Sequence, residues 1–369
     1  MLLNRLSILN YKNIAEATLD FCDGINCFVG NNGVGKTNLL DSVYYLACTK
    51  SRSGLMDSLN VRHGEQFFMI QGEFTDEPSG NAPMLIQAGY KVGGRKNFKN
   101  CGKDYQRLAD HIGLIPVVIV SPSDSNLIED WSDNRRKFID SVISQYSKEY
   151  LFHLIKYNAL LADRNSYLKQ ETDDEVLYEA CEAQMAESGR YIYEARCKFT
   201  EEFAKVFNEY YAKISMDKEQ VAIEYKSHLA TGDLKSMLEY SRKLDLIVGH
   251  TTKGIHKDDL DMLLGGYSIK KVGSQGQNKS FLLALKFAQF NYLKRITGRT
   301  PILLLDDIFD KLDAERVEQI IKIVSDDEFG QIFITDTNRD NLDALIKRSS
   351  GGEYRIFKVT EGEVKDETC

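Results

Sequence analysis

The chain has 369 residues, 43% hydrophobic and 28% charged, with a net charge of −8. That length predicts about two domains, or one domain carrying an insertion, and the composition excludes a disordered or fibrous protein. No apolar run reaches the ~18–20 residues that span a bilayer, and the opening MLLNRLSILNYKN is polar too early for a secretory signal, so a cytoplasmic protein with no membrane partner is expected.

The seven cysteines are odd in number and contain no CxxC pair, and the six histidines include no HExxH, which argues against a disulfide framework and a zinc site. The acidic balance argues against a chain coated in nucleic acid, although a local basic stripe can bind DNA on an acidic protein.

In chain order, Leu2, Leu6 and Ile8 fit a strand, and Ala15, Ala17, Leu19 and Phe21 alternate like a second. Ile25–Val29 is a short apolar strand running into glycine, and residues 38–48 carry apolar side chains at helical spacing. Strands are predicted at 66–74, 84–92 and 116–120, with a turn at Gly93-Gly94. The texture then becomes helical over 125–148, 149–169 and 175–215, the last ~60 Å long unless Gly189 breaks it. Strand-like pieces follow at 221–226 and 260–272, a helix at 280–295, a buried strand at 302–305, a helix at 314–324 and a strand at 331–335.

Gly30-Asn31-Asn32-Gly33-Val34-Gly35-Lys36-Thr37 matches GxxxxGK[ST] at every fixed position and sits between the predicted strand and helix. Glycines at this spacing let backbone N–H groups turn inward around phosphates, the lysine reaches the β- and γ-phosphates, and the threonine ligates Mg²⁺. The helix that follows adds its positive end. The motif predicts a site for ATP with Mg²⁺, and Lys36 is a catalytic candidate. The apolar strand ending in Asp306-Asp307 is its natural complement. Adjacent strand residues point to opposite sides, so Asp306 is assigned to the metal together with Thr37, and Asp307 to the attacking water.

Gly273-Ser274-Gln275-Gly276-Gln277 resembles the LSGGQ signature of ABC-type ATPases, and FDKLD at 309–313 resembles their D-loop, with Asp313 its aspartate. GNNGVGKTNLLDSVYYL, TKSRSGLMDSLNVRHG, SPSDSNLIEDWSDNRRKFID, GIHKDDLDM and LLLDDIFDKLD together resemble the SMC-like branch of ABC ATPases, and within it the RecF family, over essentially the whole chain.

The resemblance implies an α/β ABC-type ATPase head with a β-rich ATP lobe at 1–120 and 245–369 and a mostly helical insertion at 121–244. It implies that Ser274, Gly276, Gln277 and Asp313 of one copy meet the ATP of another in an ATP-dependent homodimer. The dimer grips DNA, slow hydrolysis releases it, and the chain acts as a switch with weak DNA-stimulated ATPase activity. The implied partners are double- or single-stranded DNA, RecR- and RecO-type mediators and a RecA-type recombinase loaded at gaps, in repair, replication and SOS induction. Two other readings compete with it: an SMC-like or OLD-type ATPase of a nuclease or defence system, and a transporter ATPase. Against transport stand Asp336 where transporters carry a γ-phosphate-sensing His, and 121–124 near where they carry Gln. GIHKDDL departs from the family's GPHRDDL at Ile255 and Lys257.

Six cations (Lys91, Arg95, Lys96, Lys99, Lys103 and Arg107) face one acid, Asp104, over residues 91–107, with Phe98 and Tyr105 interleaved. They are candidates for DNA phosphates or form an ordinary solvated hairpin. Arg135, Arg136 and Lys137 are a second candidate, or a helix surface cluster paired with Asp133 and Asp140.

Overall fold

The computed structural model describes residues 1–76, 83–172, 174–308, 314–325, 329–337 and 353–368. They form two compact units, Met1–Asp124 with Leu283–Cys369, and Ser125–Leu282.

In the first unit, β1 (Leu2–Tyr11) and β2 (Ile14–Asp20) form a hairpin, and β3 (Ile25–Val29) leads into α1 (Lys36–Cys48). After these come β4 (Phe67–Thr75), β5 (Met84–Lys91), β6 (Asn97–Asn100), β7 (Lys103–Asp104) and β8 (Val117–Val120). An antiparallel sheet has the order β2-β1-β4-β5-β6-β7. Alternation along β4, with Phe68, Ile70 and Phe74 buried and Phe67 and Met69 exposed, marks one covered face.

In the second unit, α2 (Asn126–Glu129), α3 (Ser132–Tyr146), α4 (Lys148–Lys169) and α5 (Glu175–Ser215) precede β9 (Val221–Lys226) and α6 (Leu234–Val248). Then come β10 (Asp259–Leu264), β11 (Tyr267–Ser268), α7 (Ile269–Val272) and α8 (Gln275–Thr297), within which the division between the units falls. β12 (Ile302–Asp306), α9 (Ala314–Ser325), β13 (Ile332–Asp336), β14 (Tyr354–Thr360) and β15 (Glu363–Asp366) complete the first unit.

The first unit's other sheet has the order β15-β14-β3-β13-β12-β8, with every pair parallel except β14–β15. β12 and β13 are buried at every residue, as strands covered on both faces require. One core cluster runs from the antiparallel sheet (Tyr11, Phe68) through α1 (Leu39, Leu46) to the parallel sheet (Phe28, Phe333). Each fully buried aromatic or leucine in it contributes about 2–3 kcal/mol of transfer free energy.

Several sequence expectations change. The insertion predicted over 121–244 is found as a unit over 125–282, because β10 pairs with β9 along its whole length and brings residues 245–282 with it. The single helix expected over 125–148 breaks at Asp130, whose backbone is extended. The guanidinium of Arg135 donates to the Leu127 and Asp130 carbonyls and satisfies that helix end. Gly189 does not interrupt α5, which runs unbroken for 41 residues. A Cβ there would lie 2.6 Å from Leu234 Cδ2, so the glycine admits α6. The strand expected over 260–272 becomes helical at Ile269. Among the described residues no helix is long and apolar enough to cross a membrane.

Candidate nucleotide site

The loop between β3 and α1 is held open by its neighbours. Gly35 has φ of 115°, a left-handed backbone in which a side chain is strained, and a Cβ there would sit 2.7 Å from the Asn13 amide. Asn13 Nδ2 donates to the Val34 carbonyl at 3.0 Å, Asn13 Oδ1 accepts from Asn38 Nδ2 at 2.7 Å, and Gly362 N donates to Val34 O at 2.9 Å. Asn31, Asn32, Gly33 and Thr37 remain exposed.

Lys36 opens α1, and its ammonium folds back over the loop, donating to the carbonyls of Gly30 at 2.6 Å and Asn31 at 2.8 Å. Burial lowers its pKa, while the carboxylates of Asp307, Asp306 and Asp336 pull it back up. The cation therefore sits among three acids at the strand ends, where the strand order β3-β13-β12 collects them.

Asp306, at the end of β12, accepts from Thr37 Oγ1 at 3.0 Å and from Thr335 Oγ1 at 2.7 Å. Burial raises its pKa, and the two hydroxyls oppose that rise. Thr37 and Asp306 thus place hard oxygen donors side by side, a donor set that suits Mg²⁺. Asp307 has φ of 51°, and its backbone N–H donates to Thr335 O at 3.2 Å and Thr335 Oγ1 at 3.1 Å. Thr335 is a site residue that the sequence reading missed. It occupies the strand beside the acidic one, and only the sheet order brings it there.

The segment 121–124, where transporters carry their Gln, ends in a buried ion cluster. Asp124 pairs with Arg52 and with Lys286 of α8 at 3.0 Å. Burial works against its charge, but the two cations win and hold the carboxyl below its ordinary range. The residue links the parallel sheet to α8. A further open cleft of about 660 Å³ adjoins the loop, lined in part by Lys12, Asn13, Leu59, Arg62 and His63, the last three from the TKSRSGLMDSLNVRHG stretch.

In the second unit, Ser274 precedes α8. Its N–H donates to Gln277 Oε1 at 2.8 Å, and its Oγ accepts from Gln277 N at 3.2 Å. This reciprocal arrangement is a capping box, and it explains why a serine and a glutamine stand three apart. Ser274 is exposed and Gly276 half-buried. Asp313 lies outside the described residues.

Of the two readings of the basic clusters, the structure favours intramolecular pairing for several members, Arg136 with Asp133 at 3.5 Å among them. Lys96 turns inward, donating to Thr49 O at 2.6 Å, pairing with Asp57 at 2.9 Å and lying over the Tyr45 ring. Phe98 is buried against Tyr105 and His111 and offers no face to a base. Lys99 lies 3.9 Å from Asp104, while Lys91, Arg95 and Lys103 are exposed. Arg135 forks onto Asp259 at 2.6 and 3.0 Å, and Arg136 donates to Ser132 Oγ and the Asp258 carbonyl. Both arginines therefore tie α3 to the GIHKDDL segment, as bidentate guanidinium geometry does well.

That segment is itself a structural hub. Asp258 pairs with buried Arg196 at 3.0 Å and accepts from the Tyr225 hydroxyl. His256 Nδ1 meets Tyr157 OH at 2.9 Å, and burial lowers the imidazole pKa to about 4, so it is neutral near pH 7.

The chain matches the family model "RecF/RecN/SMC N terminal domain" over residues 2–360. It is 52% identical over 368 residues to the "DNA replication and repair protein RecF" of Phocaeicola vulgatus, covering 99% of this chain and 98% of the relative. Two solved structures of the recombination mediator protein RecF in the RecFOR pathway resemble it closely. The RecF-ATPrS structure has a TM-score of 0.88 at 31% identity, covering 99% of this chain and 98% of the other. The RecF-ATP structure has a TM-score of 0.87 at 30% identity, covering 99% of both chains. The implied ABC-type ATPase head is the fold observed, and with likeness over nearly its full length this chain belongs to the RecF family.

Proposed function

We propose that this chain is an ATP-switched DNA-binding protein of recombinational repair. ATP at the phosphate loop draws two copies together on DNA, and weak hydrolysis releases them. The observation that carries this is the loop itself: Lys36 rests on the Gly30 and Asn31 carbonyls while Thr37 is bonded to Asp306. That arrangement supports a phosphate cradle with oxygen donors suited to a divalent ion, in a chain whose structural neighbours are RecF-ATPrS and RecF-ATP.

The loop N–H groups of residues 30–37 and the α1 N-terminus bind the phosphates, and Lys36 leaves its carbonyls for the β- and γ-phosphates. Thr37 and Asp306 would hold Mg²⁺, which neutralises phosphate charge when bound. Asp307 orients the attacking water. The cleft beside Asn13 takes the nucleoside. Ser274, Gly276 and Gln277 of the second copy contact the γ-phosphate, and Asp313 contributes there as the resemblance implies. Lys91, Arg95 and Lys103 are the exposed cations left for DNA. RecR- and RecO-type mediators and a RecA-type recombinase are the proposed partners, and the site of action is the cytoplasm.

Fluorescence anisotropy on double-stranded, single-stranded and junction DNA, with and without ATP and Mg²⁺, tests the reading. Binding should require ATP and weaken steeply with salt. Binding indifferent to ATP would overturn the switch. Arg95→Glu with Lys103→Glu should weaken all DNA sequences alike and flatten the salt slope by roughly two. An unchanged slope would remove this hairpin from the interface. Ser274→Arg should still bind ATP but fail to dimerise, and ATP-dependent dimers of that variant would refute the trans contact.

A further inference from the structure

We infer that Glu219 is the positioning residue that orients the SQGQ turn for the ATP of a second copy, an inference that rests on the ATP-dimer reading above. Glu219 lies 58 residues before Gln277, between α5 and β9, and no motif includes it. Its Oε1 accepts from Gln277 Nε2 at 3.0 Å. Its Oε2 accepts from the hydroxyl of Tyr211, in the last turns of α5. The carboxylate thus joins the end of α5 to the start of α8.

The bond matters because of what the other end of the same amide does. Gln277 Oε1 caps Ser274 N at 2.8 Å. An amide has one acceptor and one donor end, so the carboxylate on one side and the backbone N–H on the other impose the same orientation. With Gln277 held, its backbone N–H donates to Ser274 Oγ at 3.2 Å. The serine hydroxyl accepts that bond and keeps its own proton to donate outward, from an exposed position, to a phosphate oxygen. Through Gln277, Glu219 sets which way the signature serine donates. Without the carboxylate the amide regains its other rotamers and its flipped orientation, which presents NH₂ to Ser274 N–H and breaks the cap.

Four variants test this: Glu219→Ala, Glu219→Gln, Gln277→Ala and the double Glu219→Ala with Gln277→Ala. Dimerisation with ATP is followed by sedimentation, ATP binding to the single copy by a fluorescent analogue, and folding by thermal melting. Glu219→Ala should raise the protein concentration needed for dimers by about tenfold, the order expected for losing a hydrogen bond to a charged group. ATP affinity of the single copy should stay as in the native chain, because the phosphate loop belongs to the other unit. Glu219→Gln should restore dimerisation, since its carbonyl still accepts from Gln277. The double variant should be no weaker than Gln277→Ala alone, because the carboxylate acts through that amide. Native-like dimerisation of Glu219→Ala overturns the inference, and so does a double variant that adds a second full loss.

A local measurement separates this inference from the dimer reading. In nucleotide-free protein, hydrogen exchange at Ser274 N–H should speed up about tenfold in Glu219→Ala, by the same bond-loss reckoning. If the native chain forms no dimer with ATP, the dimer reading fails. Unchanged exchange at Ser274 overturns the role of Glu219 itself.

Discussion

Asp307→Asn should hold ATP as well as the native chain while losing roughly 10²-fold or more of its turnover, the scale seen when one group acting on the reacting centre is removed. The substitution is unusually clean at this position. Asp307 sits at φ of 51°, in the left-handed region that asparagine tolerates as well as aspartate, and its N–H stays bonded to Thr335. Only the carboxylate charge changes, so the backbone at the end of β12 has no reason to move.

Lys36→Ala is its counterpart and should lose ATP binding itself, by at least ~10²-fold, because a charge-assisted contact to phosphate disappears. It should fold, since the ammonium's present partners are two loop carbonyls that water can reach through the exposed neighbours Asn31 and Thr37. Steady-state ATPase assays beside equilibrium binding of a fluorescent ATP analogue separate the two effects. Normal turnover by Asp307→Asn would end its assignment to the attacking water, and full ATP affinity in Lys36→Ala would end the phosphate assignment of the lysine.

Arg164→Met should cost the helical unit about 3–5 kcal/mol, as breaking a buried ion pair from one side does. Arg164 is fully buried. Its guanidinium donates to Glu182 at 3.0 Å, Asp245 at 2.8 Å, the Thr251 hydroxyl at 2.8 Å and the Leu238 carbonyl at 3.3 Å. One side chain on α4 thereby ties α5, α6 and the segment after α6 together. Methionine fills much of the volume but leaves buried Asp245 with no cation, held only by Ser241 and Thr252, while Glu182 keeps Arg242.

Thermal unfolding should show a loss of roughly 10 °C in that unit's transition. Adding Asp245→Asn to Arg164→Met should recover part of the loss, because the one charge left without a cation carries much of it. A cost below about 1 kcal/mol would show that water reaches the network on substitution. ATP binding should be untouched, since none of these residues belongs to the nucleotide-binding unit.

The phosphate loop was legible in the sequence because its geometry is local. Eight consecutive residues supply the turn, the inward N–H groups and the first turn of the helix, and no distant partner is needed to recognise them. α5 was equally legible, bounded by Asp174, which caps Val176 N and Leu177 N, and by a left-handed Met216. α6 is not among the helices that the sequence predicts. Its buried positions, Leu234, Leu238, Ser241 and Asp245, are half polar, while Tyr240 and Ile247 stand exposed. Burial and apolarity therefore coincide only in its first turns, while its last turns expose Leu244, Leu246 and Ile247.

Charge was the least legible property. Lys96, Arg135 and Arg136 look like DNA ligands by composition, but each points at a specific acid or carbonyl contributed from elsewhere in the chain. A charged side chain finds its partner only after the sheets and helices have assembled, since Coulomb attraction is short-ranged in salt water and strong only where burial removes the solvent. The same is true of the site's completion. The sequence by itself named the candidate loop, its lysine and the two aspartates. The tertiary structure decided that Thr335 would bond Asp306 and that Asp124 would lie between Arg52 and Lys286. It also decided that Glu219 would reach Gln277, because strand order and helix packing, not spacing along the chain, bring such polar partners within hydrogen-bonding distance.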